Sequence, residues 1–503
     1  MMLLPTIAPK MRSTVRGFVN KDWATFWESD FLSKWVPLTL GLILAMLVGL
    51  LISQGMWHFA VPLAFLIPVA ILFLRYPFAC IVTWLLVSPF LQTTPTMPER
   101  ILYWVVHRAM PPATLVLIIL ATLLQTKKNR LMRWGRAELV LVPFLAIGLL
   151  SIILLQPGDG VVPTLYLFYD RLFISICLYW IVRLTTPGED DLKRLLPVML
   201  ALVLIQCGIG LLTLFAPSVV RPDWRGIGEG ARVTGTLRAP GAYTTTLVFF
   251  CLVLYHAAMQ RKPGLFRFIF LFAFAFGSLM VFLSFSRGSW LGGVVAAGGL
   301  LIVYPKATIR MVIIVSIIMA AFGLGLLTDQ IDWANERLQN KENAQARIVM
   351  YHTAAKMIQV RPFFGWGYQN FRLFRDEFKG RTNNFVVTER EIGIHNTFLG
   401  ITTELGLAGF FSYIFPVIWW LWLTIKIWPR MSNNGFWSRR LLIVLWLAIL
   451  NQVLVNSFMD MTHFPYGVGV WWITVGLIGS VICHHLSPGD IGAQDLVYQS
   501  SVR

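Results

Sequence analysis

The chain has 503 residues, of which 57% are hydrophobic and 13% charged, and its formal net charge is +18. Soluble proteins carry roughly 25% charged residues, so this composition excludes an ordinary water-soluble globule. The basic excess lies mostly between apolar runs, where positive charge holds loops on the cytoplasmic side of a membrane; no nucleic-acid motif accompanies it, and nucleic acid is not expected as a partner.

The first apolar run begins near Pro37, after a stretch bearing Lys10, Arg12, Arg16, Lys21 and Lys34. A secretory signal is shorter, starts earlier and ends at a small-residue cleavage site, so residues 1–36 read as a cytoplasmic tail. Lipid cannot hydrogen-bond an open backbone, and a spanning helix needs about 20 mostly apolar residues. Runs of this kind lie at 37–52, 59–74, 78–91, 113–124, 139–155, 161–182 and 195–215. Others follow at 243–259, 265–285, 290–304, 312–327, 398–427, 441–458 and 468–483. The expected fold is an all-α integral membrane bundle of about 12–14 transmembrane helices. Residues 37–327 begin that bundle, 395–484 complete it, and 485–503 form a cytoplasmic tail.

Alternate loops carry Lys127, Lys128, Arg130, Arg133 and Arg136, then Arg261, Lys262 and Arg267, then Lys306 and Arg310. Lys426, Arg430, Arg439 and Arg440 end the series, which places both termini in the cytoplasm by the positive-inside rule. Two sizeable loops, 216–242 and 328–394, then fall on the external face, the second large enough to form a subdomain. Within it, 343–360 reads as a helix stopped by Arg361-Pro362, and Gly365-Trp366-Gly367 reads as a turn. The five cysteines lie inside apolar segments and form no disulfide framework or metal spacing.

Several polar residues carry candidate chemistry. The external loop 216–242 holds Arg221, Arg225, Arg232 and Arg238 against Asp223 and Glu229. Arginine forks suit bidentate capture of phosphate; contact with headgroups or loop acids is the other reading. Arg232 is favoured for its Gly-rich setting at 228–235. Arg287 stands between two apolar runs, where a charge either faces a cavity or snorkels to the headgroups. Arg347 lies on the expected loop helix with Tyr351 and His352 one turn on. His395-Asn396-Thr397 precedes a spanning run, so Asn396 or Thr397 can cap that helix and leave His395 at its anion-attracting start. Asp170-Arg171 reads as a mutually neutralising pair, while Asp460 and His463 read as structural. Glu404 lies about 13.5 Å along a helix from His395, too far for direct partnership.

Two elements in combination resemble the O-antigen ligase and polymerase superfamily. Arg287-Gly-Ser-Trp-Leu291 is similar to its Arg-x3-Leu element, and His395-Asn396 followed by Gly406 and Gly409 is similar to its His-Asn-x9-Gly-x2-Gly element. The resemblance covers roughly residues 232–413; the first half matches only as generic spanning helices, and the extra helices and long tail depart from the pattern. It implies a multi-pass enzyme of the bacterial inner (cytoplasmic) membrane, active on the periplasmic face and needing no metal or other cofactor. Arg287 and Arg347 would bind the diphosphate of an undecaprenyl-diphosphate-linked glycan, with Arg232 added by its loop position. His395 would orient or deprotonate the acceptor hydroxyl, and Asn396, Tyr351 and Glu404 would support the site. The partners implied are the lipid-linked glycan, a glycan or lipid A-core acceptor, and membrane lipids. Ligase and polymerase share these motifs. A transporter would also place arginines along a cavity, but carriers often show repeats with broken helices in both halves, and no such symmetry is visible.

Overall fold

The computed structural model describes most of residues 46–56 and 72–124, then 135–155, 157–225, 232–325, 342–379 and 393–486. The tails and most of the spans expected at 37–52 and 59–74 lie outside the described residues. The chain divides into two compact units. The first comprises Met1–Cys80, Pro112–Gly135 and Leu486–Arg503, and its described part is largely apolar helix. The second comprises Ile81–Pro111 and Arg136–His485.

The chain is an all-α, polytopic membrane protein. Its first helices are α1 (Phe78–Leu91), α2 (Met97–Thr122), α3 (Arg136–Leu155), α4 (Val161–Thr185) and α5 (Glu189–Phe215). Next come α6 (Pro240–Met259), α7 (Leu265–Leu283), α8 (Arg287–Val303) and α9 (Pro305–Gly325). Two helices outside the apolar set, α10 (Glu342–Val360) and α11 (Phe371–Phe378), precede α12 (Thr397–Ile427), α13 (Arg439–Asn456) and α14 (Pro465–Cys483). Among the described residues, nine helices are long and apolar enough to cross a membrane. The runs expected at 78–91, 290–304 and 312–327 fall on α1, α8 and α9, which are outside those nine, and the other runs from 113–124 onward fall on the nine. The run at 113–124 is the tail of a longer helix: α2 starts at Met97, and Glu99, Arg100, His107 and Arg108 hid its first half from an apolar count.

Helices α6 and α14 form the centre, each with 94% of its apolar window buried, whereas α7 buries only 33%. A helix that is apolar on every side must be covered on every side. Accordingly α14 packs against α4, α12 and α13, while α6 packs against α7 and α13. Helices α2 and α4 each contain a π-helical turn, Trp104–Ala109 and Tyr169–Phe173. The two turns are joined through Asp170, which accepts from Tyr103 Oη (3.1 Å) and pairs with the Arg108 guanidinium.

The helix expected at 343–360 runs from Glu342 to Val360 and ends ahead of Pro362. Met350, Ala354 and Met357 recur on one face and build a small core with Trp366, Phe371 and Ile394. This subdomain is seated on a break in α12. Gly406 leaves helical geometry at φ 69°, ψ −174°, which frees backbone groups around it. The Thr403 and Glu404 carbonyls accept from the Trp366 and Gly367 N–H groups at 3.1 and 2.8 Å. The Leu407 and Ala408 N–H groups donate to Pro362 and Phe363 at 2.7 and 3.1 Å. Irregular backbone at membrane depth is tolerated where protein satisfies it, and residues 362–367 do so here.

Candidate functional site

The site assembles around the short connection between α13 and α14, residues 457–464. The Ser457 carbonyl accepts from Tyr351 Oη of α10 at 3.2 Å and from Asn396 Nδ2 at 3.1 Å. Asn396 also caps α12, its Oδ1 accepting the Leu399 N–H at 2.9 Å. Of the two residues able to cap, Asn396 does so, because Thr397 is occupied with the same connection. Its hydroxyl donates to the Met459 carbonyl (3.0 Å) and accepts the Met461 N–H (2.8 Å). Phe458 lies against Gly288 at the start of α8, where an added Cβ would stand 3.3 Å from it. One connection therefore fixes the starts of α8 and α12 and a residue of α10.

His395 sits one residue before the α12 cap, in the left-handed region at φ 50°. That conformation costs a non-glycine residue on the order of 1–3 kcal/mol and persists because Asn396 and Thr397 are held immediately after it. Phe285, Arg238 and Gln369 share the left-handed geometry at φ 49°, 60° and 66°. Backbone strain of this kind gathers at functional sites.

The electrostatics of His395 follow from its neighbours. Burial first, then the Arg347 guanidinium, hold its imidazole below the ordinary range, while Asp460 opposes them. The neutral ring is thus favoured at neutral pH, with a lone pair able to accept a proton. Burial also lowers Arg347, and Arg287 is close enough to lower it further against the favourable effect of Tyr351. Two guanidinium groups that disfavour each other beside a neutral imidazole make a setting that an anion would relieve. Arg287 itself is exposed on the first turn of α8, where its charge adds to the positive end of the helix.

Beneath His395 lies a polar group of residues. His463 Nε2 is 3.4 Å from Asp460 Oδ2, and its Nδ1 receives Arg171 Nη1 at 2.8 Å. Asp460 Oδ1 accepts from the Thr462 N–H (3.0 Å) and hydroxyl (2.6 Å). Burial lowers the His463 pKa, against Asp460 and with Arg171. Glu404 faces the Gln369 and Phe371 N–H groups and feels both Asp460 and Arg171.

The structure thus gathers His395, Arg347, Arg287, Tyr351 and Asn396 around one connection, with Glu404 joined through Asp460 and Arg171. Arg232 lies in the stretch that Thr236 pins to Gln206 of α5 at 2.7 Å. Two of the loop arginines, read as either anion ligands or partners of headgroups and loop acids, have local partners. Arg221 pairs with Glu99 (2.7 Å) and Asp223 (3.3 Å), and Arg225 donates to the Val220 carbonyl. The expected Asp170–Arg171 pair is corrected: Asp170 turns to Arg108, and Arg171 turns to His463, because successive residues of a π turn point in different directions. Asp460 and His463, read as structural, stand beside His395. Their spacing from it in sequence gave no signal of that. Among the described residues, no group of three or more His, Cys, Asp or Glu side chains gathers as a metal site.

Residues 272–414 match the family model described as O-Antigen ligase. The matched stretch carries Arg287, Arg347, His395 and Gly406, and it excludes Arg171, Asp460 and His463. No curated protein matches the chain. The resemblance carried by the two motifs is therefore shown over this segment, and it supports a membrane glycan ligase or polymerase type of function.

Proposed function

We propose, from the O-antigen ligase-like character of residues 272–414, that the protein transfers a glycan from undecaprenyl diphosphate to an acceptor hydroxyl at the periplasmic face of the bacterial inner membrane. The observation that carries this reading is the setting of His395, kept neutral by burial and Arg347 at the mouth of α12. The acceptor oxygen attacks the anomeric carbon as His395 takes its proton, and the carbon–oxygen bond to the diphosphate breaks with inversion. Negative charge then grows on the departing diphosphate, where Arg287 and Arg347 stabilise it most in the transition state. Arg232 is a further candidate for the same anion. Asn396 and Tyr351 position the reacting groups through their shared bond to Ser457. In this reaction arginine charge acts where other transferases use a metal ion.

A ligase attaches the glycan to a lipid A-core or similar acceptor; a polymerase joins it to another lipid-linked repeat. The spacing of the two motifs favours ligase. The test is a strain lacking the protein, complemented with wild type, His395→Ala, Arg287→Ala or Arg347→Ala at matched membrane levels. Loss of mature glycan in all three variants supports the assignment. Accumulated long lipid-linked chains then identify a ligase, and single repeats a polymerase. A normal glycan profile in all three overturns it and favours transport.

A further inference from the structure

A cavity of about 630 Å³ opens among α2, α4, residues 237–238 and the α13–α14 connection. Four arginines line it, Arg100, Arg108, Arg171 and Arg238, against one acid, Asp170. Like charges in a site walled by helices repel strongly, and intramembrane charges facing a cavity mark function by default. The two π turns meet at this cavity, Arg108 lying in one and Asp170-Arg171 in the other. Such turns occur mostly at functional sites.

The four arginines divide by their partners. Arg108 is matched by Asp170 and lies over the Tyr103 and Tyr166 rings at 4.8 and 4.1 Å. Arg171 is held by His463. Arg100 gives its Nε to the Thr94 carbonyl (3.0 Å) and keeps the rest of its fork at the exposed mouth. Arg238, held in the left-handed region, buries an Nε that has no hydrogen-bond partner. A buried donor without a partner is costly, so a strained arginine in that state is arranged for something other than stability.

Arg171 and His463 are shared between this cavity and the group beneath His395. Tyr103, Trp104 and Tyr166 add flat aromatic surface to its wall. Resting on the glycan-transfer reading above, we propose that the cavity is an acidic-sugar subsite: Arg238 and Arg100 grip a carboxylate or phosphate borne on a sugar, whose ring stacks on these aromatics. The transferred or accepting glycan is then an acidic one. This anion is separate from the diphosphate assigned to Arg287 and Arg347.

The test uses the full chain in nanodiscs of phosphatidylcholine, with binding measured calorimetrically for glucuronate, glucose 6-phosphate, glucose and a short polyprenyl diphosphate. At least one acidic sugar is expected to bind tenfold or more tighter than glucose. Arg238→Gln and Arg100→Gln should each lose that preference by about tenfold and keep polyprenyl diphosphate binding; Arg287→Ala should do the reverse. Arg238→Lys keeps the charge without the fork and should fall between wild type and Arg238→Gln, which separates recognition from misfolding. Equal binding of glucose and the acidic sugars by wild type overturns the subsite. So does displacement of the acidic sugar when phosphatidylglycerol is added, which would assign the cavity to lipid headgroups, or by the polyprenyl diphosphate, which would make it part of the donor site. Acidic-sugar binding without any polyprenyl diphosphate binding would instead sink the transfer reading and leave the subsite standing.

Discussion

Arg171 Nη1 meets His463 Nδ1 at 2.8 Å, joining residues 292 positions apart in the chain. Arginine has only donors, so Nδ1 is the acceptor and the ring's proton sits on Nε2, facing Asp460 Oδ2 at 3.4 Å. The Arg171 bond therefore sets the tautomer that lets His463 steady Asp460, which in turn acts on His395. Arg171→Met frees the ring to reverse its tautomer. A charged hydrogen bond is worth about 1.5–3 kcal/mol, so the transfer rate should fall roughly 10- to 100-fold. Initial rates in nanodiscs should show this in kcat with KM little changed; an unaltered kcat would remove Arg171 from the site.

His395 carries a backbone and a chemical requirement that one substitution separates. Asn tolerates the left-handed region well, so His395→Asn should unfold at the wild-type temperature within a few degrees. Without a titratable ring it should lose about 10²–10⁴-fold in rate, the usual range for general acid–base catalysis. Retained activity would show that the imidazole is dispensable.

The pH profile should follow the lowered His395 value. Its neutral form is the active one, so the rate is full at neutral pH and falls as pH drops through a midpoint below the ordinary 6.5. Stability runs the same way. A histidine held neutral on folding contributes above 6.5, and the contribution is lost as pH falls through the lowered value. In an NMR titration of the His395 imidazole, Arg347→Gln removes a lowering influence and should move the midpoint up; Asp460→Asn removes a raising one and should move it down. Opposite shifts would refute the electrostatic account.

At Gly406 an alanine Cβ would overlap the Phe363 carbonyl, and the residue's φ of 69° disfavours any side chain. The conformational cost alone is on the order of 1–3 kcal/mol, and the overlap should also unseat residues 362–367. Gly406→Ala is expected to lower the unfolding temperature in detergent and expose 362–367 to proteolysis. A wild-type digestion pattern would contradict the docking role given to this glycine.

The order of the spanning helices was legible in the sequence because lipid imposes a length and an apolarity that few other constraints mimic. The motifs marked Arg287, His395, Gly406 and Gly409, and Pro362 marked the end of α10. A break at Gly406 that receives residues 362–367 was not legible, since its hydrogen bonds join parts of the chain some forty positions apart. Nor was the place of Asp460 and His463 beside His395, or of Arg171 against His463. A lone charge in an apolar run says that it needs a partner, because burying it alone is costly, but it does not say which one. Tertiary packing decided that, turning Asp170 to one helix and Arg171 to the connection that holds the site.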